Sequence, residues 1–138
     1  MTLNSARSRS IVPGFTVVAL AALLVGCASM GPYKPIEVSD VKSLAGTWKG
    51  VIYWSGNERD ELEMTIREDG SYHFVAHEPV GSSEGNGKIT ISEGRLIIQG
   101  EKGQGVAELM STGDGRVMQI EATLSDNRHV SARLWLTP

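Results

Sequence analysis

From Gly46 onward the chain is cut by turn residues at short, regular intervals. They fall at Ser55-Gly56-Asn57, Asp69-Gly70, the run Gly81 to Gly87, Glu93-Gly94, Gly100 to Gly103, Gly113-Asp114-Gly115 and Asp126-Asn127. Gly, Asn and Asp accept the positive φ that tight hairpins demand. Seven such turns leave eight short segments, the spacing of an all-β sandwich or barrel.

The segments alternate with a period of two. Trp48, Gly50, Ile52 and Trp54 share one face. Leu62, Met64 and Ile66 alternate with Glu61, Glu63, Thr65 and Arg67, and Tyr72, Phe74 and Ala76 with Ser71, His73 and Val75. Ile89 and Ile91, then Met118, Ile120, Ala122 and Leu124, and finally Ala132, Leu134 and Leu136 repeat the pattern. One wet and one dry face is the mark of an antiparallel sheet. Between Gly105 and Ser111 either Ala107 and Leu109 or Val106 and Met110 can face inward. Consecutive hairpins make a meander, and eight meandering strands with one apolar face close into an up-and-down barrel that leaves no open edge. A two-sheet sandwich is the competing layout.

The first 26 residues follow a different logic. Met1 to Ser10 is polar, with Arg7 and Arg9 and no acid, and Phe15 to Val25 is apolar apart from one Thr. A basic start, a short apolar run and a small residue at Gly26 describe a helical secretory signal peptide over 1–26. A membrane span needs about 20 apolar residues, more than this run holds. Cys27 is the only cysteine, so no internal disulfide or multi-thiol zinc site is available.

Leu24-Val25-Gly26-Cys27 resembles the lipobox of bacterial lipoproteins. The resemblance implies cleavage before Cys27 and a lipid anchor on it, with palmitate-type acyl chains holding the protein to a membrane. Ala28 in the next position is similar to an outer-membrane sorting signal and implies an outer-membrane location facing the periplasm. Residues 27–45, with Gly31, Pro32 and Pro35, then read as a lipidated tether; Ile36 to Leu44 is expected to form a helical turn or cover the barrel end. Residues 46–138 form the barrel domain. The formal net charge of −3 becomes more negative once Arg7 and Arg9 are removed. An acidic domain of this kind is not expected to bind nucleic acid, which calls for a basic patch.

Gly46-Thr47-Trp48 resembles the Gly-x-Trp opening of the lipocalins and their calycin relatives, eight-stranded up-and-down barrels. The resemblance implies that Trp48 plugs the closed end of the barrel beside an arginine from the C-terminal side. Arg133 is the candidate, although strand parity puts it on the outer face. The Thr-Asp-Tyr signature and the C-terminal helix of lipocalins are missing, so the expectation is a lipocalin-like small barrel.

Alternate turns of a meander lie at the same end. The tight turns at 69–70, 93–94 and 113–115 fall at the Trp48 end. The loops at 55–59, 77–87, 100–104 and 125–128 fall at the other, which is therefore the expected mouth. Its expected contacts are Glu58, Arg59, His77, Glu78 and Glu84, in a rim made acidic by Glu58, Asp60, Glu78, Glu84 and Glu101. Closure of first strand on last puts Val51, Tyr53 and Trp135 together outside as a candidate wall contact. The apolar interior is either filled by side chains or holds one small hydrophobic ligand.

No catalytic constellation stands out. His73 and His77 share a strand face but lie about 13 Å apart, too far for one metal. No Gly-x-Ser-x-Gly appears, and the Gly81 to Gly87 run lacks the ending of a phosphate loop. No enzyme activity, cofactor or metal is expected. The expected role is a membrane-anchored, non-catalytic barrel that binds a hydrophobic or amphipathic small molecule or docks an envelope protein. The alternative is an inhibitor-type barrel acting on a basic protein. Ser55-Gly56 resembles half of the loop pattern of periplasmic lysozyme inhibitors, but no Tyr follows it.

Overall fold

The computed structural model describes residues 33–55 and 57–138. Leu24, Val25, Gly26 and Cys27 lie outside the described residues, as does the apolar run before them. The described chain is all-β, apart from one 3₁₀ turn. The strands are β1 (Lys34–Pro35), β2 (Gly46–Tyr53), β3 (Arg59–Ile66), β4 (Ser71–His77), β5 (Ser82–Ser92), β6 (Arg95–Gly100), β7 (Gly103–Thr112), β8 (Gly115–Leu124) and β9 (His129–Leu136). Strands β2 to β9 pair in sequence, each antiparallel to the next, and β9 returns to β2 from Trp48↔Leu136 to Tyr53↔Ser131. The sheet is a closed eight-stranded meander barrel, not a sandwich.

Two glycines show how the wall bends enough to close. A β-carbon on Gly50 would lie 1.9 Å from the Arg133 carbonyl oxygen, so only a hydrogen there lets β2 and β9 approach at the seam. A β-carbon on Gly87 would meet the Tyr72 ring and hydroxyl, its cross-strand neighbour. The turns use the expected chemistry. Glu93 and Gly94 both have positive φ between paired Ser92 and Arg95, as a two-residue hairpin requires.

The interior holds the inward set that the alternation predicts. Trp48, Ile89, Met118 and Leu134 are fully buried; Ile52, Leu62, Met64, Ile66, Leu96, Ile98, Leu109 and Ile120 are nearly so. In β7 it is Ala107 and Leu109 that face inward. Val117 is an exception: it lies on the outward side of β8, between Met110 and Trp135 across the strands, yet is fully buried.

One turn expectation fails. The Gly81 to Gly87 run is not a loop: Ser82 to Gly87 forms the first half of the 11-residue β5, and the connection from β4 is only 78–81. The physical reason lies across the strand. Phe74 faces Gly85 and Tyr72 faces Gly87, so two large rings fill the interior that these glycines leave empty, and the backbone pairs as a strand.

The closed end is built before the barrel begins. Lys34–Pro35 pairs with Ser111 and Met110 of β7 beyond the point where β6 stops, and the Ile36 amide donates to the Leu109 carbonyl. The chain then makes a 3₁₀ turn over Val41–Leu44, with the Asp40 carboxylate accepting from the Lys42 amide as its cap. Leu44 is fully buried, and the Trp48 indole N–H donates to its carbonyl at 2.8 Å. The expected cover of the barrel end is therefore present. The arginine beside Trp48 is Arg116, not Arg133. Its guanidinium lies 5.8 Å from the centre of the Trp48 ring and donates to the Ser43 carbonyl at 3.0 Å. Arg133 points outward, as its parity dictates, and lies over the Tyr33 ring.

Trp48→Ala removes the plug, its hydrogen bond to the cap and the surface under Arg116. A loss of about 3–5 kcal/mol is expected for a fully buried aromatic, a large part of the stability of a domain this size. Thermal or urea unfolding of the variant measures it.

Candidate functional site

The end opposite Trp48 is open. Trp54 and Glu58, with the connections 78–81, 101–102 and 125–128, surround a bowl of about 740 Å³. Ile52, Phe74 and Leu124 form its apolar floor, and the same three residues line a second space beneath it, an apolar cavity of about 70 Å³. Leu62, Met64, Ile98, Ile120, Val130 and Ala132 are among the other residues of that cavity's wall. The interior is thus filled at the Trp48 end and hollow toward the mouth. The aliphatic stem of Lys102 borders both spaces, its Cγ close over Gly85, and the Lys102 carbonyl is fixed by the Ser125 amide at 2.9 Å.

Trp54, just past the end of β2, is the principal aromatic of the rim. Its backbone amide donates to the Glu58 carbonyl, its indole N–H donates to the Asp60 carboxylate, and the Arg128 guanidinium lies 5.3 Å from its ring centre. Arg128 is steered there by its own hairpin. Its amide and Nε both donate to the Asp126 carboxylate, at 3.1 and 2.7 Å, while its carbonyl accepts from Leu124. Asn127 at positive φ makes this tight geometry possible. The hydrogen bonds from the Arg128 backbone and side chain hold the Asp126 carboxyl below the usual range. Five carboxylates line the bowl (Glu58, Asp60, Glu78, Glu101 and Asp126), against three cations, Arg59, Lys102 and Arg128. Tyr72 reaches the lower cavity, where burial and the Glu101 carboxylate push its phenol above the usual tyrosine value.

Of the residues that the sequence assigned to the mouth, Glu58, Arg59 and Glu78 line the bowl. Glu84 does not, because its segment is strand rather than loop. It sits on the outer wall, 3.7 Å from His73 Nε2, and His73 Nδ1 lies 3.0 Å from the Asn86 side-chain oxygen. His77 closes β4 opposite Ser82, exposed and outside the bowl. Trp54 and Arg128 were missed as a pair. Trp54 carried a signal, since it continues the inward parity of Trp48 and Ile52; Arg128 carried none, because only the fold of the last hairpin brings it over the ring.

On the outer wall Val51, Tyr53 and Trp135 all face outward across the seam, with Trp135 diagonal to Val51. Tyr53 and Trp135 are each 43% exposed; directly across the strands Trp135 pairs with Lys49 and Val117, Val51 with Arg133, and Tyr53 with Ser131. Lys49 is paired with Glu63 at 2.8 Å, a link that lowers the Glu63 pKa. Among the described residues no group of histidines, cysteines and carboxylates is placed to hold a metal ion.

No known family profile matches the chain, and no curated protein matches it. Solved structures similar to it include two β-barrels. One is a redesigned β-barrel at 16% identity and a TM-score of 0.52, covering 75% of this chain and all of that one. The other is a de novo designed fluorescence-activating β-barrel at 16% identity and a TM-score of 0.55, covering 72% of this chain and all of that one. At this identity the likeness is one of fold.

The Asp126–Arg128 geometry makes a pH prediction. A carboxyl whose folded pKa is lowered contributes stability above its unfolded value and loses it as pH falls through the folded one. The Arg128 Nε–H should therefore stay protected from exchange down through the ordinary aspartate range, about pH 4, and lose protection only below it. Its NMR resonance, followed from pH 7 downward, is the measurement.

Proposed function

We propose that this protein is a lipid-anchored envelope protein whose barrel binds an amphipathic small molecule at its mouth and catalyses no reaction on it. The observation that carries the binding role is a polar-rimmed bowl at one end that shares Ile52, Phe74 and Leu124 with an apolar cavity. Binding sites of this size with an apolar lining and few polar groups take a small molecule by its shape and its one polar end. The opposite end is plugged by Trp48, and the chain enters the barrel there through β1. The anchor rests on Leu24-Val25-Gly26-Cys27 and the signal-like segment before it. On this reading the tether leaves from the plugged end, and the mouth points away from the membrane.

Both halves of the reading are open to test. Cys27→Ser abolishes the acyl attachment site, so metabolic palmitate labelling of the full chain should disappear and the precursor should stay uncut. Labelling that persists would remove the anchor from the proposal. Ala132→Leu adds three carbons into the lower cavity. It should lower affinity for a short-chain amphiphile at least tenfold with little loss of fold, because cavity filling is tolerated where space exists. Unchanged binding in a folded variant would place the ligand elsewhere.

A further inference from the structure

We infer that the mouth selects a cationic headgroup, and that Arg128 occupies the headgroup position when no ligand is bound. The inference rests on the amphiphile-binding role proposed above and names its chemical class. A cation over an aromatic face is attracted by the ring quadrupole, most strongly over Trp. Trp54 offers such a face inside the bowl, and the chain's own guanidinium already lies over it at 5.3 Å. Arg128 is not buried there: its side chain is about half exposed, and its hydrogen bonds run back to Asp126 in its own hairpin rather than into the barrel. It can therefore leave the ring while keeping its carboxylate. Five acidic side chains against three basic ones give the bowl an excess of negative charge.

The ring position also fits the space below it. Trp54 and Ile52 line the bowl, and Ile52 lines the apolar cavity as well. An ammonium stacked on Trp54 beside the Asp60 carboxylate can direct a short alkyl chain past the Lys102 stem and down into that cavity. A carboxylate or phosphate head would face Glu58, Glu78 and Glu101 instead. The class assigned is a quaternary or primary alkylammonium with a short apolar chain.

The full chain, reconstituted in nanodiscs, is titrated with hexyltrimethylammonium, hexanoate and the neutral hexyl glucoside. Binding is followed by NMR, at the Trp54 indole N–H in chains that keep it and at the backbone amide of Leu124, which lines both spaces, in all of them, with empty nanodiscs correcting for partition. The ammonium probe should bind more tightly than the other two. Arg128→Ala should tighten it by about three- to tenfold, since a competing internal cation is gone, and Arg128→Lys should fall between. Trp54→Ala should weaken it by a similar factor, with Trp54→Phe retaining part of the affinity. Preferential binding of hexanoate or hexyl glucoside, or weaker or unchanged ammonium binding in a folded Arg128→Ala variant, would overturn the cation preference and leave amphiphile binding standing. Binding of none of the three would overturn both.

Discussion

The indole of Trp48 ties together three separate parts of the chain. It is fully buried on the first barrel strand, donates to the carbonyl that ends the 3₁₀ turn, and lies under an arginine from β8. That arginine in turn donates to Ser43 in the same turn. Cap, first strand and seventh barrel strand thus share one aromatic ring. A buried indole N–H needs an acceptor, and the chain supplies it from the cap rather than from the barrel. The cap is therefore required by the core and is not an ornament on it.

Filling one end so completely allows the other to stay hollow. The largest fully buried side chains, Trp48, Leu44, Ile89, Met118 and Leu134, include the plug and the cap that closes over it. Toward the mouth the inward positions shrink to Ala76, Ala122, Ala132, Gly85 and Ser83, and Tyr72 and Phe74 recover only part of the volume. Stability and an accessible interior are thus separated along the barrel axis. The rim can carry strained turns and mutually facing charges because the core does not depend on it.

Most of the barrel was legible because alternation is a direct image of the pleat: a residue's parity fixes its face whatever its partners. Thus the inward set, the tight turns and the outward Arg133 could all be read. The arginine above Trp48 was readable in principle, since Arg116 has inward parity beside the turn at Trp48's end. The first half of β5 was not readable. Gly, Ser, Glu and Asn carry loop propensity, and what overrides it is the pair of rings on β4, which are distant in sequence and show only in the register. The Trp54–Arg128 stack fails for the same reason, because its two members lie on different hairpins.

The two-residue pairing of β1 with β7 governs how the barrel responds to a pull along the chain from its N-terminal side. Tension arriving at Tyr33 acts first on Lys34–Pro35, which clings to β7 by a short ladder and can peel one hydrogen bond at a time. The load then reaches the buried Leu44 and, through its carbonyl, the Trp48 indole, where many contacts must break together. The entry segment thus behaves as a mechanical fuse in front of a rigid block: small forces slacken the lead without deforming the bowl at the far end.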